Sequence, residues 1–220
     1  IISPFFFESL SRFRALSADG EEPEGARPFD VTRNGFVAGE SCCIVCLEPL
    51  EQAQSRGAAA YCEVAGWGMG SSAAPATDWP EDSRGIELTV SRALKQAGLN
   101  ADDIGVIAAA ANGGRKLDRI EAKAYGNIFG MKKSRPLIYS IKGAVGESFS
   151  SGGINAAALA LSLEKGCVPP TAGLKEPLGN LGFVQYEACT TDSAYALLNG
   201  VSFGGTYVSL IFSRTFGEES

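Results

Sequence analysis

The sequence predicts an α/β protein whose helices lie on and between β-sheets, and three patterns carry that expectation. Short apolar runs alternate with helix-length amphipathic segments through the middle of the chain, the order of a buried parallel sheet with helical crossovers. Residues 154–165 are helical in pattern and apolar on nearly all sides, which predicts burial between two sheets. Residues 194–200 and 206–213 read as antiparallel strands joined by a tight turn over 202–205.

The individual elements follow in order. Residues 18–27 are acidic and carry Gly and Pro, a surface loop. Residues 35–47 are apolar and rich in Val, Ile and Cys, a buried strand or strand pair, and 48–56 form a short helix stopped by Gly57. Residues 58–67 read as a strand, and 68–79 as a long loop of the kind that covers sites. Gly66-Trp67-Gly68-Met69-Gly70 fails as a dinucleotide-binding turn, because no well-formed helix follows at once. Asp82 or Ser83 can cap a helix that places Ile86, Val90, Ala93, Leu94 and Ala97 on one face before Gly98 ends it. Residues 104–110 are a short apolar strand. Asp118, with Glu121 three residues later, reads as a capping-box start of a helix closed by Gly130. Residues 137–140 are the next strand, and Ser151 and Gly152 open the helix over 154–165.

Composition bounds the function classes. A chain of 220 residues, 45% hydrophobic and 20% charged, is globular and long enough to bury roughly 70% of its unfolded surface in one or two domains. No apolar run approaches the ~18 residues of a membrane span, since Asn155 and Ser162 interrupt the longest, so a soluble, cytoplasmic protein is expected. A net charge of -6 argues against nucleic acid and against an acidic membrane surface as partners. With no histidine in the chain, Cys42, Cys43, Cys46, Cys62, Cys167 and Cys189 are expected to be small buried hydrophobes, neither metal ligands nor a disulfide framework. A nucleophilic cysteine would want a base that no imidazole here supplies.

A set of motifs runs nearly end to end. Arg27-Pro28-Phe29-Asp30 leads into Arg33-Asn34-Gly35-Phe36-Val37-Ala38-Gly39-Glu40; Ser140-Ile141-Lys142-Gly143-Ala144-Val145-Gly146-Glu147, Pro169-Pro170-Thr171 and Phe203-Gly204-Gly205-Thr206 follow. In order and spacing they are similar to R-P-F-D, D-G-F-V-x-G-E-G, S-x-K-x-x-x-G-H, P-P-T and F-G-G-T-N of the β-ketoacyl synthases, which extend acyl chains by decarboxylative condensation. The resemblance implies a thiolase-like layered αβαβα fold, C-terminal portion, with residues 1–57 ending the N-terminal ketosynthase-like half and 58–220 forming the C-terminal half. Ile1-Ile2-Ser3-Pro4 has no initiator Met and no signal-peptide pattern, and it resembles family sequence after the nucleophile turn. The expectation is a piece of a longer protein. The acylated cysteine, commonly glutamine in chain-length factors, would then lie upstream.

Where condensing enzymes carry N-A-H-G-T-S-T, this chain reads Ala108-Ala109-Ala110-Ala111-Asn112-Gly113-Gly114, and Glu147 stands where their second histidine follows glycine. Leu117-Asp118-Arg119-Ile120-Glu121-Ala122-Lys123-Ala124 is similar to the L-D-R-x-E-A-x-A of chain-length factors, the ketosynthase-like subunits of type II polyketide synthases; Glu147 departs from their usual arginine. Decarboxylating a malonyl thioester develops negative charge on the thioester oxygen, which neutral imidazoles stabilise. Alanine donates nothing, and an ionised glutamate repels both the malonyl carboxylate and the enolate. By resemblance, then, Ala110, Lys142, Glu147 and Phe203 occupy catalytic positions without catalysing. Lys142 becomes a structural cation facing Glu147, and Phe203 a structural residue of the turn. No cofactor or metal is implied.

The resemblance implies a non-catalytic chain-length-factor-like subunit that pairs with a catalytic ketosynthase, in a heterodimer or larger assembly, and helps set the length of a polyketide or polyene. Its other partners would be the N-terminal portion of the same protein and an acyl carrier protein, for which Lys132, Lys133 and Arg135 offer a local basic patch, unless they are simply a solvated loop. Two alternatives stay open. One is an active ketosynthase or malonyl decarboxylase whose essential residues lie in the upstream portion; the other is a homodimeric structural pseudoenzyme.

Overall fold

Helix α1 (Pro4–Arg12) begins at Ser3, whose Oγ accepts the Phe6 N–H at 3.2 Å, and α2 (Leu50–Ser55) ends where Gly57 takes a φ of 70°. In this computed structural model, which describes residues 2–18, 23–130, 135–149 and 151–215, the stretch between them is not the buried strand or strand pair expected over 35–47. Isolated bridges at Phe36 and Ala38 are all the strand character it has, and Ile44 is 93% and Leu47 79% exposed. The cysteines depart from expectation with it. Cys42 and Cys46 are exposed and Cys43 half-buried because the element meant to bury them does not form; Cys167 is exposed and Cys62 and Cys189 half-buried, and all six are free thiols.

The rest is built on one five-stranded sheet. Its strands are β1 (Glu63–Ser71), β2 (Ile104–Ala108), β3 (Leu137–Tyr139), β6 (Tyr195–Ser202) and β7 (Thr206–Ser213), in the order β1-β7-β6-β2-β3; β4 (Cys167–Val168) and β5 (Cys189–Thr190) form a separate two-stranded ladder. The sheet is mixed, combining the parallel strands expected in the middle of the chain with the antiparallel pair expected over 194–213. β6, β2 and β3 are parallel neighbours, whereas β7 runs antiparallel to both β6 and β1, because the tight turn after Ser202 leaves no room for a crossover.

Alternation along the strands separates two cores. Ile107, Ile138, Leu197 and Ile211 face α3 (Arg84–Ala97) and α4 (Arg115–Phe129), where Ile86, Val90, Ala93, Ile120, Ala124 and Phe129 meet them. Val106, Ala108, Ala196, Leu198 and Phe212 face α6 (Ser151–Lys165) and its Leu159 and Leu163. Each such fully buried aliphatic side chain contributes about 1.5–3 kcal/mol. Burial of α6 between two sheets is not realised among the described residues: its inner side covers this sheet and Leu161 on its outer side is exposed. No helix among the described residues is long and apolar enough to cross a membrane.

Three smaller expectations shift. β1 starts at Glu63 rather than at 58 and runs to Ser71, into the stretch read as loop, because the glycines there serve packing. A Cβ on Gly66 or Gly68 would lie 2.6 Å from the Ala93 carbonyl oxygen or 2.0 Å from that of Thr89, so these two glycines let α3 lie directly on the strand. At the start of α3, Ser83 Oγ donates to Glu87 Oε1 at 2.7 Å instead of capping, and Asp82 Oδ1 accepts the Arg84 N–H at 3.0 Å. Most consequentially, Asp118 and Glu121 do not start α4. They sit inside it, fully buried, and turn toward the loop that follows β2.

Candidate functional site

Two buried carboxylates build the loop over residues 109–114. Glu121 accepts the N–H of Ala110 at 2.9 Å and of Ala111 at 2.7 Å, together with the Tyr125 hydroxyl at 2.6 Å and the Asn199 amide at 2.8 Å. Asp118 accepts the N–H groups of Phe29 at 2.8 Å, Asn112 at 3.1 Å and Gly113 at 3.1 Å, with the Arg33 guanidinium 3.9 Å away. Burial pushes the Asp118 carboxyl up to about 7 against the pull of those donors and of Arg33. Glu121 is raised by burial too, opposed chiefly by Tyr125 and Asn199. The acidic pair is thus a template that fixes where Ala110 and Asn112 stand.

The opposite wall comes from α5 (Lys142–Val145) and the turn after it. Gly146 has a φ of 76°, and a Cβ there would lie 2.9 Å from the Gly39 Cα and the Val37 carbonyl oxygen, so the glycine is what allows Glu147 to pair in parallel with Ala38. The Glu147 N–H donates to Val37 O at 2.8 Å, and its carbonyl accepts the Gly39 N–H at 2.9 Å. Pinned on both sides by backbone, the Glu147 side chain turns inward.

There it meets three donors. Lys142 Nζ lies 2.7 Å and Asn112 Nδ2 2.8 Å from Oε2, and Ser151 Oγ donates to Oε1 at 2.8 Å. Lys142 Nζ also donates to the Ala110 carbonyl at 2.9 Å. The Lys142 and Glu147 side chains are 7% and 11% exposed, so this is a buried ion pair. Sequence reasoning placed Lys142 opposite Glu147 but missed Asn112 and Ser151; the four-residue spacing from Glu147 to a serine opening a helix was the available signal.

These groups lie at one end of a cavity of about 400 Å³ that also takes in Phe36, Phe149, Leu198 and Phe203. The structure therefore brings Ala110, Lys142, Glu147 and Phe203 around a single space. Phe203 stacks on Trp79, ring centroids 4.2 Å apart, and Trp79 is held over the cavity by its own loop. Lys116 Nζ binds Asp78 at 2.9 Å and Glu81 at 2.5 Å, and the Gly204 N–H donates to Asp78 O at 3.2 Å. Trp79, at the end of the stretch read as a loop over 68–79, lines this cavity and was not singled out by the sequence. Of the expected basic patch, Arg135 donates to the Asn180 carbonyl and side-chain oxygens at 2.9 Å; Lys132 and Lys133 lie outside the described residues.

What the arrangement can do chemically is limited by its donors. Ala110 offers no side-chain donor at the end of β2, and the only cation lining the cavity among the described residues, Lys142, is already neutralised by Glu147, both of whose carboxylate oxygens are occupied. A thioester oxygen developing negative charge here would find a carboxylate beside it and no imidazole.

Comparison with known proteins agrees with the fold and the motifs. Residues 61–175 match the beta-ketoacyl synthase C-terminal domain and residues 1–53 the beta-ketoacyl synthase N-terminal domain. The chain is 36% identical over 217 residues to a tetracenomycin polyketide synthase ketoacyl synthase alpha subunit of Streptomyces glaucescens, covering 97% of this chain and 51% of that one. It is 37% identical over 223 residues to 3-oxoacyl-(acyl-carrier-protein) synthase 2 of Rhizobium meliloti, covering 98% and 53%. Among solved structures, the ishigamide ketosynthase/chain length factor superposes with a TM-score of 0.88 at 30% identity, covering 98% of this chain and 52% of that chain. A type II polyketide synthase acyl-carrier protein in complex with its ketosynthase bound to the hexaketide gives 0.91 at 28%, covering 97% and 54%. The chain spans about half the length of these relatives, and with a thiolase-like sheet, the motifs in register and a domain match over more than half of its residues, it belongs to the beta-ketoacyl synthase family.

Proposed function

We propose that this chain is part of a non-catalytic, chain-length-factor-like subunit that pairs with a catalytic ketosynthase and helps set the length of a polyketide or polyene. One observation carries the reading. The cavity lined by Ala110, the position aligned with a family histidine, holds a Lys142–Glu147 ion pair at 2.7 Å in its wall. An approaching malonyl carboxylate would find no uncompensated positive charge to bind it, because the Lys142 ammonium is already neutralised by Glu147. The likeness to a ketosynthase/chain length factor structure supports the reading, while the ketosynthase names among the relatives are what favour an active enzyme as its rival.

The partners follow from the same reading. A catalytic ketosynthase supplies the chemistry, an acyl carrier protein presents the chain, and an upstream N-terminal portion completes the half that ends at residue 57, with residues 58–220 forming the C-terminal half. Exposed Ile44 and Leu47 and relatives twice as long support that third partner.

The test is condensation of malonyl-carrier substrates by the purified full-length protein, alone and with its ketosynthase. No carbon-carbon bond formation alone and turnover by the pair is the expected result. Turnover by the lone protein comparable to that of the pair would refute the reading.

A further inference from the structure

We infer that the Glu147 pocket is a carboxylate-binding site which the chain fills with its own side chain. An ammonium, an amide N–H and a hydroxyl converge on the two oxygens of one carboxylate within 2.7 to 2.8 Å, the donor set by which proteins recognise a free carboxylate ligand. Each donor is held by something other than Glu147. Lys142 Nζ is anchored on the Ala110 carbonyl at 2.9 Å. Asn112 is fixed through its own Oδ1, which accepts the Gly114 N–H at 2.9 Å, and through its N–H on Asp118. Ser151 is the first residue of the fifteen-residue helix α6, whose N-terminal end carries partial positive charge.

Removing the Glu147 side chain therefore leaves the three donors standing at the end of a cavity of about 400 Å³. The walls beyond them are Phe36, Phe149, Ala156, Leu198 and Phe203, so the ligand class that fits is a small carboxylate or a carboxylate at the end of a short acyl chain. In the natural chain the tethered carboxylate holds such ligands out, at an effective concentration no free acid in solution approaches.

The inference concerns the same site as the reading above and rests on that reading only for the site being idle in catalysis. Its test needs no turnover. Thermal unfolding of the full-length Glu147→Ala protein is measured with acetate, propionate and malonate against chloride at equal ionic strength. Carboxylates are expected to stabilise the variant saturably, with apparent affinity at least tenfold tighter than for the natural protein. Glu147→Gln, which refills the space, and Glu147→Ala/Lys142→Met, which removes the cation, should show no such effect. If Glu147→Ala folds only with carboxylate present, that dependence is itself the expected rescue. Stabilisation equal to that by chloride, equal in the natural protein, surviving loss of Lys142, or a variant that no carboxylate refolds, would each overturn the inference. Turnover by the lone natural protein would instead remove the non-catalytic reading and leave this binding result standing.

Discussion

Replacing Lys142 by Met takes away an ammonium that bridges Glu147 Oε2 at 2.7 Å and the Ala110 carbonyl at 2.9 Å. Both side chains are nearly buried, so water does not replace what is lost, and breaking such a pair from one side costs about 3–5 kcal/mol. Glu147→Leu costs a similar amount, because Lys142 then keeps only a neutral carbonyl. The double variant Lys142→Met/Glu147→Leu removes both charges and fills the space with apolar volume. What it strands is Asn112 Nδ2 and Ser151 Oγ, each about 1–3 kcal/mol if left unpaired. It should be destabilised by about 2–4 kcal/mol, well short of the two single losses combined, which gives a coupling of at least about 2 kcal/mol in the double-mutant cycle. Urea unfolding of the full-length protein, with an unchanged dependence on denaturant across the four forms, measures it. Additivity within about 0.5 kcal/mol would refute the claim that the pair acts as one buried unit.

Two further outcomes are expected. Because burial raises the Asp118 carboxyl from its ordinary 3.8 to about 7, its contribution to stability is fully present below the lower value and fades as pH rises through the upper one, by up to about 4 kcal/mol. The stability gap between the natural protein and Asp118→Asn should therefore narrow from pH 4 to pH 7, and a widening gap would show that the Phe29, Asn112 and Gly113 donors win instead. Ala110→His together with Glu147→His should not produce an efficient ketosynthase: the exchange supplies neither a nucleophilic thiolate nor the partners that pre-organise two imidazoles, and a misplacement of about 1 Å costs about a hundredfold in rate. Condensation by that variant at rates normal for the family would contradict this.

How much of this was legible in the sequence depended on whether the determinant is local. The helix over Ile86 to Ala97 and its glycine stop were readable because periodicity and cap lie within the segment, and Gly98 does adopt a φ of 70°. The hairpin before and after Phe203 was readable for the same reason, with Gly204 and Gly205 at φ values of 76° and 80°. Asp118 and Glu121 misled. Three-residue spacing is equally that of a capping box and of two side chains on one inward helix face, and only the position of the preceding loop, which needs acceptors for its N–H groups, tells them apart. Likewise the exchange of imidazole for Glu147 could be read from motif register, whereas Asn112, 35 residues earlier in the chain, could not.

The apolar run over residues 42–47 marks the limit most sharply. Its composition predicts a strand, and composition is all that a period-two or buried-strand pattern reports, but a strand forms only where another offers its N–H and C=O groups. Among the described strands none pairs with it, so Ile44 and Val45 stay exposed while Cys43 lies against Gly153 of α6, where an added Cβ would come within 3.2 Å. That contact sets the run beside the outer side of the very helix whose sequence is apolar nearly all round. The two misreadings are therefore one: a helix patterned for burial on both sides and a run patterned as a strand each describe half of a second layer, and pattern alone specifies that layer without supplying the strands that would pair with it.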